Sequence, residues 1–409
     1  MNNSPVKLSY IPGLDGIRAL AAFLVILAHW PNYLLSLKFA WMGVNIFFVL
    51  SGFLITRILL FEKSNTFKSY ISGFYYKRTL RIFPLYYGYL LITCLLITFF
   101  TYYNKQLLNY AAWHDAYYAI KNNFIYYLTY TYNFKVSVRS LPDYSGRFFG
   151  HLWTLSLEEQ FYVVFPFVVY FSSLKTLKII IITVLFLCPL LRLWGVLYGV
   201  NLVTDRYWFG ELFYTNTICQ SDALITGAAL AVFNIKLVKP YFTFFVTFSI
   251  WLFVGIVCFI FIRESGYFLM SGKSLGYDFP AFWFTEKTKY WFINIRPFYQ
   301  YTLVNLLAAA LILPAINGQT LFPRIFQQRV VTYLGKISYG IYIFHFPLAA
   351  IFVLVADIYL GGWGNLTKQP AAEIICFILY IFSVIGIAHL SYQYFEKKIL
   401  KYKHNITTP

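Results

Sequence analysis

The sequence predicts an all-α integral membrane protein, a bundle of about ten transmembrane helices, and three observations support that prediction. Apolar runs of about 20 residues, long enough to cross a bilayer as helices, recur along the chain. Charged residues make up 12% of the 409 residues, about half of the roughly 25% found in soluble domains. Basic residues collect in alternate connections, as in loops that stay in the cytoplasm. An ordinary soluble domain is excluded, and the 22% aromatic content excludes intrinsic disorder.

Ten apolar segments are predicted to span the membrane. The ninth is longer than a bilayer requires and contains Pro347, which predicts a kink. Lys7 precedes the first segment and no small-residue cleavage pattern follows it, so this segment is expected to stay in the mature protein. In chain order the segments lie at 17–37, 41–61, 82–101, 155–173, 178–199, 211–234, 241–262, 297–317, 330–356 and 372–395.

Positive charge in the connections indicates the orientation. The connections on one side hold most of the basic residues, whereas the short connections on the other side hold little beyond Lys38, Arg206 and Lys368. Because cytoplasmic loops carry an excess of Lys and Arg, both chain termini are predicted to be cytoplasmic.

Two long connections, at 102–154 and 263–296, are then predicted to face outward. The first is rich in Tyr and Trp, whose rings suit a membrane interface and also the faces of sugar rings. An interfacial belt and a carbohydrate-binding lid both remain open. Residues 1–403 are expected to form a single membrane-embedded domain, followed by a short tail at 404–409, with no appended soluble domain.

The formal net charge of +18 indicates membrane lipid, not nucleic acid, as the partner. The basic residues sit between apolar runs instead of forming a stripe, as expected beside anionic headgroups. The five cysteines are scattered inside apolar segments, so neither a disulfide framework nor a Cys-x-x-Cys metal site is predicted. No zinc spacing, P-loop or dinucleotide fingerprint occurs, and no metal is expected.

Arg18 and His29 place a cation and an imidazole on one face of the first span. They are separated by about 20° around the helix and roughly 16 Å along its axis, with Asp15 about 40° off that line. Snorkelling explains Arg18 alone and an interhelical hydrogen bond explains His29 alone, but their shared face favours a function. A neutral imidazole in a desolvated site can take a proton from an alcohol, as acyl transfer to a hydroxyl requires.

Arg78 and Arg81 lie at i and i+3 at the predicted cytoplasmic end of the third span. Two guanidinium groups on one face can hold a phosphorylated ligand through bidentate hydrogen bonds. Retention of positive charge in the cytoplasm also explains the pair.

Glu158 and Glu159 place two carboxylates in the first turns of the fourth span. Interaction with the helix dipole explains one of them but hardly both. His151 shares a face with Glu158 if the helix extends back that far. We therefore expect a polar site at the outer start of this span.

Other polar residues inside spans are candidates for support of such a site, since polar groups within a bilayer are costly. Asp222 lies in the sixth span, and Ser338, Tyr342 and His345 form an i, i+4, i+7 stripe in the ninth. Interhelical hydrogen bonding is the alternative explanation for the stripe. Ser51-Gly52 is interpreted as a close-packing element, not as a covalent nucleophile.

In their order along the chain, these residues resemble the acyltransferase family 3 membrane proteins of bacteria. Each piece is weak alone, but their order is specific, and the resemblance covers nearly the whole chain. The pieces are Leu14–Ala22 leading to His29, Gly43–Gly52, Arg78 and Arg81 before Pro84, His151–Tyr162, Asp222–Leu224, Ile337–Pro347 and Tyr394–Lys397.

The resemblance implies a ten-helix enzyme of the bacterial cytoplasmic (inner) membrane. Such an enzyme moves an acyl group, usually acetyl, from cytoplasmic acetyl-CoA or another acyl-CoA to a hydroxyl of a cell-surface glycan or lipid-linked sugar outside. The family's essential His and Arg match His29 and Arg18, its arginine pair matches Arg78 and Arg81, and its acidic segment matches Glu158 and Glu159.

Two departures from the family pattern matter. Many members carry Asp or Glu where this chain has Asn45, which argues against a charged role at that position. Other members carry an extra extracytoplasmic hydrolase-like domain that this chain lacks. The modification is therefore expected to be completed by the membrane domain or by a separate partner.

The residues and the resemblance together suggest a mechanism. The three arginines grip the donor, its pantetheine arm runs along the first helix, and His29 acts as the general base on the acceptor hydroxyl. Glu158 or Glu159 orients His29 or binds the sugar.

Two other interpretations remain open. A transporter or flippase for acyl groups or lipid-linked sugars also uses intramembrane His, Arg and Glu, although no inverted repeat is visible. A structural scaffold leaves the charges inside spans unexplained. The sequence does not determine the acyl group, the acceptor, direct transfer versus an acyl-enzyme intermediate, or the oligomeric state.

Overall fold

The computed structural model describes residues 10–31, 40–137, 146–199, 212–233, 251, 296–317 and 321–404. All the regular secondary structure in these ranges is helical, so the all-α prediction is confirmed for them. The helices are α1 Pro12–His29, α2 Met42–Glu62, α3 Phe67–Tyr103, α4 Ala111–Leu128, α5 Tyr132–Ser137, α6 Gly146–Phe149, α7 Leu152–Phe171, α8 Leu174–Trp194, α9 Thr217–Val232, α10 Arg296–Asn317, α11 Leu321–Phe326, α12 Arg329–Lys336, α13 Ser338–Tyr359, α14 Trp363–Thr367, α15 Pro370–Ser391 and α16 Lys397–Leu400.

Seven helices in the described ranges are long and apolar enough to cross a membrane, namely α1, α2, α3, α8, α10, α13 and α15. The fourth and sixth predicted spans correspond to α7 and α9, which fall outside that set. The seventh, at 241–262, lies outside the described residues apart from Trp251. A multi-pass membrane protein is therefore supported, while the count of ten and the orientation of the termini remain predictions.

The first helix is shorter than the predicted span 17–37, because it ends at His29. Pro31 disfavours helical geometry in the residue before it, and Trp30 accordingly has the extended angles φ −66° and ψ 127°. His29 therefore lies in the last turn of α1 and not in the middle of a longer helix.

Two other boundaries also differ from the prediction. The third helix begins at Phe67, well before the predicted residue 82. The predicted ninth span, 330–356, is two helices, because α12 ends at Lys336 and α13 begins at Ser338. Helix α13 continues through Pro347.

The long connection at 102–154 contains three helices, α4, α5 and α6, that pack against the bundle. Tyr86 donates a hydrogen bond to the Tyr127 carbonyl at 2.8 Å, and Tyr89 donates to the Phe148 carbonyl at 2.5 Å. Tyr127 is fully buried, whereas Tyr102 is 77% exposed, so the aromatic residues of this connection divide between core and surface. The second long connection, 263–296, lies outside the described residues except for Arg296.

Close contact between α2 and α9 depends on glycine. A Cβ at Gly52 would overlap the backbone carbonyl of Leu224, and a Cβ at Gly227 would overlap that of Val49. Small residues allow such approach between membrane helices, where packing and not the hydrophobic effect drives association. The interpretation of Ser51-Gly52 as a close-packing element is confirmed for Gly52.

We expect Gly227→Ala to destabilise the protein, because the new methyl group must push α9 away from α2. Overpacking of this kind costs about 1–3 kcal/mol of the free energy of unfolding. Thermal unfolding in detergent, followed by size-exclusion chromatography after heating, measures the change. Gly386→Ala is the matched control, because a Cβ there meets no atom within 4 Å. Equal thermal stability of the two variants contradicts the packing role.

Candidate active site

A central cavity lies between α1, α2, α3, α7 and α13. Seven of the predicted site residues line it, although they come from four helices spread over more than 300 residues of sequence. They are Arg18, Arg78, Arg81, Glu158, Glu159, Ser338 and Tyr342. The fold thus brings the predicted donor-binding arginines and the acidic pair to one place.

A second cavity, the mouth cavity, adjoins the first at the end of the bundle where α1 begins. It shares Arg18, Arg81 and Tyr339 with the central cavity. Asp15 and Glu396 line it as well. Arg18 and Arg81 therefore lie between the mouth cavity and the central cavity.

The three arginines are held differently. Arg18 forms an ion pair with Asp15, its Nη1 lying 2.6 Å from Oδ1, and Tyr10 donates a hydrogen bond to the other oxygen of that carboxylate at 2.6 Å. Arg78 stacks instead on aromatic faces, with its guanidinium carbon 5.1 Å from the centre of the Tyr162 ring. Among the described residues, no carboxylate forms an ion pair with Arg78 or Arg81.

Glu158 belongs to a hydrogen-bonded group that sequence reasoning missed. Ser51 donates to Glu158 Oε1 at 3.1 Å, and Tyr162 donates to Oε2 at 2.7 Å. The Ser51 and Tyr162 oxygens are 3.2 Å apart. Tyr162 lies one helical turn after Glu158 in α7, a spacing that could have indicated the contact, whereas the position of Ser51 follows only from packing of α2 against α7.

Glu159 has a different environment from its neighbour. Its Oε1 is buried and has no hydrogen-bond partner within the part of the chain that the structure describes. A buried oxygen without a partner is costly, so the site is suited to a ligand or water that donates a hydrogen bond there.

Three histidines meet beyond the central cavity, and we call them the histidine cluster. The His345 ring lies 4.9 Å from that of His29 and 5.4 Å from that of His151, measured between ring centres. Phe346 packs edge-on against both His29 and His151. The cluster joins the end of α1, the residue before α7 and the middle of α13, which no single helical pattern could have predicted.

Hydrogen bonds define which nitrogen carries the proton in two of these rings. His29 Nδ1 is 2.8 Å from the Val25 carbonyl oxygen, and His345 Nδ1 is 2.6 Å from that of Tyr342. A carbonyl only accepts, so Nδ1 is the protonated nitrogen in both neutral rings and Nε2 is the basic one.

His151 is the least satisfied member of the cluster. Its side chain is almost fully buried, and neither ring nitrogen has a hydrogen-bond partner among the described residues. A buried imidazole in this state is rare, because buried polar groups are nearly always hydrogen-bonded.

Tyr342 separates the central cavity from the histidine cluster. Its ring lines the cavity and lies 5.4 Å from the His345 ring and 5.6 Å from the His151 ring. Its hydroxyl donates to the His151 carbonyl at 3.0 Å and also contacts the Thr154 hydroxyl. His29 does not line the cavity, so this tyrosine layer stands between it and the arginines.

Asp222 lies away from the central cavity and the histidine cluster, among α8, α9 and α10. Arg192 binds both of its carboxylate oxygens, at 3.1 and 2.8 Å, and both residues are at most 1% exposed. Thr302 and the Cys219 carbonyl complete the arrangement around the guanidinium. Asn45 donates a hydrogen bond to Asn305 at 2.8 Å.

No group of three or more His, Cys, Asp or Glu side chains in the described ranges has the arrangement of a metal site. The three rings of the histidine cluster are included in this result, and His345 packs edge to face against the other two.

The sequence model of the family described as acyltransferase domain matches residues 11–393. The similar curated proteins include the O-acetyltransferase OatA of Staphylococcus aureus, from strains NCTC 8325 / PS 47, COL and MRSA252. Each is 28% identical to this chain over 399 residues, which cover 96% of this chain and 57% of the relative. The chain thus spans little more than half the length of these relatives. No solved structure matches the chain.

We expect Asp222→Leu to destabilise the fold, because it leaves the buried Arg192 charge without its counter-charge. Removing one partner of a buried ion pair costs about 3–5 kcal/mol, whereas replacing both partners with apolar residues can be nearly neutral. Thermal unfolding of Asp222→Leu alone and of the double variant Arg192→Leu/Asp222→Leu provides the test. If the double variant is no more stable than Asp222→Leu, the pair is not the reason that Asp222 is required.

Proposed function

The chain belongs to acyltransferase family 3, and we propose that it moves an acetyl group from cytoplasmic acetyl-CoA to a hydroxyl of a glycan on the other side of the membrane. Family membership makes it an enzyme, an acyltransferase for groups other than aminoacyl groups. The names of the similar proteins, O-acetyltransferases, support acetyl as the group and a hydroxyl as the acceptor.

One observation carries the proposal: Arg18, Arg78 and Arg81 line a single cavity, and no described carboxylate pairs with the last two. Guanidinium charge inside an apolar bundle is costly unless an anion binds it. The phosphate groups of coenzyme A are such anions, and Arg binds phosphate oxygens through two parallel hydrogen bonds. The nucleotide of the donor then lies in the mouth cavity, on the other side of Arg18 and Arg81 from the central cavity.

The uncharged pantetheine arm of the donor then extends along α13, over the stripe of Ser338, Tyr342 and His345. These residues span seven positions, or about 10 Å along a helix, from the central cavity into the histidine cluster. The arm passes the Tyr342 layer, and the thioester meets the acceptor hydroxyl beside His29.

His29 acts as the general base through Nε2. It takes the proton of the acceptor hydroxyl as that oxygen attacks the thioester carbon, and the carbon–sulfur bond then breaks. The leaving thiolate takes the proton from the imidazolium, which regenerates the neutral ring and releases coenzyme A as a thiol. The hydrogen bond from Nδ1 to Val25 holds the ring in the required tautomer.

His151 and His345 border the same space. Because Nε2 of neutral His345 can only accept a hydrogen bond, we assign the support of the acceptor hydroxyl to His345 and that of the developing oxyanion to an N–H of His151. Glu158 contacts Ser51 and Tyr162 on the donor side. We therefore propose that Glu158 and Glu159 offset the arginine charge and position the donor, in place of the orientation of His29 that the sequence suggested.

We expect His29→Ala to lower turnover by about 10²–10⁴-fold, the usual contribution of a general base. The measurement is the transfer of a radiolabelled acetyl group from acetyl-CoA to the endogenous glycan fraction of inside-out membrane vesicles. His389→Ala is the matched control, because His389 contacts Tyr333 and lines neither cavity. Normal turnover by His29→Ala removes it as the base. Transfer that persists in detergent, without compartments, argues against a transporter.

Arg78→Ala is expected to raise the apparent KM for acetyl-CoA about tenfold or more, because hydrogen bonds to charged groups contribute about 1.5–3 kcal/mol each. Turnover at saturating donor should change little. Lys77→Ala is the matched control, because it removes one positive charge at the neighbouring position. Lys77 pairs with Glu62 at 2.7 Å and does not line the cavity. A loss of turnover at unchanged KM contradicts a donor-binding role for Arg78.

A further inference from the structure

Trp30, the residue that follows α1, is surrounded by aromatic rings from α13, α14 and α15. Its side chain is 2% exposed, and the ring centres of Trp363, Phe377 and Tyr380 lie 5.0–5.3 Å from its own. The ring centre of Phe352 lies 6.2 Å away. We call these five residues the tryptophan cluster. It joins the end of the first helix to three later helices.

Two indole hydrogen bonds hold the chain immediately after α1. Trp30 Nε1 donates to Glu373 Oε1 at 3.3 Å, and Trp363 Nε1 donates to the Pro31 carbonyl at 2.8 Å. The backbone N–H of Trp363 donates in turn to Asp357 Oδ1 at 2.9 Å. Both residues that follow α1 are therefore bound to α14 or to the first turn of α15.

Glu373 is a costly choice if packing is its only role. Its side chain is 1% exposed, and it forms no ion pair with any residue that the structure describes. Burial of a carboxylate without a cationic partner is unfavourable, although the dipole of α15 offsets part of the cost at this position. The carboxylate thus indicates a need for a strong hydrogen-bond acceptor beside the Trp30 indole.

His29 needs such an anchor because it is the last residue of α1. The last turn of a helix frays, since its carbonyl groups lack partners within the helix. Pro31 has no N–H with which to continue the helix. A catalytic group must nevertheless be held within about 0.5 Å of its productive position. The placement of His29 Nε2 therefore depends on what holds the next two residues.

The tryptophan cluster also reaches the second histidine. Tyr380 is fully buried, and its hydroxyl donates to the His345 carbonyl at 3.0 Å. The rings of His345 and His29 lie 4.9 Å apart, measured between their centres. One group of aromatic side chains therefore holds the backbone beside both imidazoles, and it sets the distance between them.

We propose that Trp30 is a positioning residue for the general base, and that Glu373 acts through it. Trp30 lines neither the central cavity nor the mouth cavity, so it contacts His29 and not the donor. The cluster keeps His29 Nε2 directed at the acceptor hydroxyl. This inference rests on the proposed function, because it takes His29 as the base.

Substitution of Glu373 tests the anchor through turnover in the vesicle assay. Glu373→Leu removes the acceptor of the Trp30 indole, and we expect turnover per folded protein to fall roughly 10–100-fold, since a misplacement of about 1 Å can cost 10²-fold. Glu373→Gln keeps a carbonyl oxygen at this position and should retain most of the turnover. The apparent KM for acetyl-CoA should stay unchanged in both variants, because Arg18 lies near the other end of α1. A rise in KM that accounts for the loss contradicts the positioning role.

Trp30→Phe and Trp113→Phe compare one substitution at two buried indoles. Each removes an N–H donor, because Trp113 Nε1 donates to Thr101 at 2.9 Å. Trp113 lines neither the central cavity nor the mouth cavity. We expect turnover to fall in Trp30→Phe and to stay at the wild-type value in Trp113→Phe. Equal losses in the two variants mean a general packing effect and overturn the proposal.

Solid-state NMR of protein labelled with ¹⁵N-histidine reports on the His29 ring without turnover. The His29 signals are those missing from His29→Ala, and the wild type should show the neutral ring protonated at Nδ1. Glu373→Leu should broaden or split these signals, because the ring then adopts several orientations. Unchanged signals in Glu373→Leu and Trp30→Phe overturn the proposal. If the signals change as expected but His29→Ala retains normal turnover, the proposed function fails while the anchoring of His29 stands.

Discussion

A guanidinium group inside an apolar helical bundle must have a counter-charge, and this requirement organises the structure. Arg192 has its counter-charge inside the protein, because it donates to both carboxylate oxygens of Asp222. This ion pair joins α8 to α9. Arg78 and Arg81 form no ion pair among the described residues; they line a cavity inside the same bundle together with Glu158 and Glu159, whose carboxylates we propose to offset part of their charge. A buried arginine thus forms a structural ion pair at one position and a proposed anion-binding site at another. Only the partner of its guanidinium distinguishes the two cases.

The position of α1 determines whether the arginines of the central cavity and the histidine cluster form one site. A Cβ at Gly16 of α1 would overlap the backbone at Phe326, and one at Gly335 of α12 would overlap the backbone at Asp15. These contacts fix the first turns of the helix, where Arg18 faces both cavities. Because α1 continues as one helix to His29, the same contacts also fix the imidazole at its far end.

Much of the donor side was predictable from sequence, because charge inside an apolar segment is visible without a structure. Arg18, Arg78 and Glu158 are each conspicuous for that reason, and the structure places them around one cavity. The pairing of Asp222 with Arg192 was not predictable, since those residues lie on different helices and no pattern specifies their contact. The resemblance to a family supplied the order of the motifs but not their distances.

The outer side of the site shows a different limit. His29, His151 and His345 are individually plain in the sequence, but their meeting depends on how the end of α1 and the start of α7 pack against α13. One local signal was available for the boundaries. Pro31 explains the end of α1 at His29, and the residue before a proline is biased against helix. The break between α12 and α13 had no such proline, so an unbroken span was the natural prediction.

The position of Tyr342, between the central cavity and the histidine cluster, is compatible with transfer between them only if its ring can move. Its hydroxyl has two partners, the His151 carbonyl and the Thr154 hydroxyl, and a typical hydrogen bond contributes about 0.5–1.5 kcal/mol net. Moving the ring therefore costs on the order of 1–3 kcal/mol. Hydrogen bonds from arginines to phosphates contribute about 1.5–3 kcal/mol each, so a donor held by three arginines can offset that cost. We propose that the Tyr342 ring moves only when the donor binds, so that it otherwise shields the histidine cluster from the central cavity.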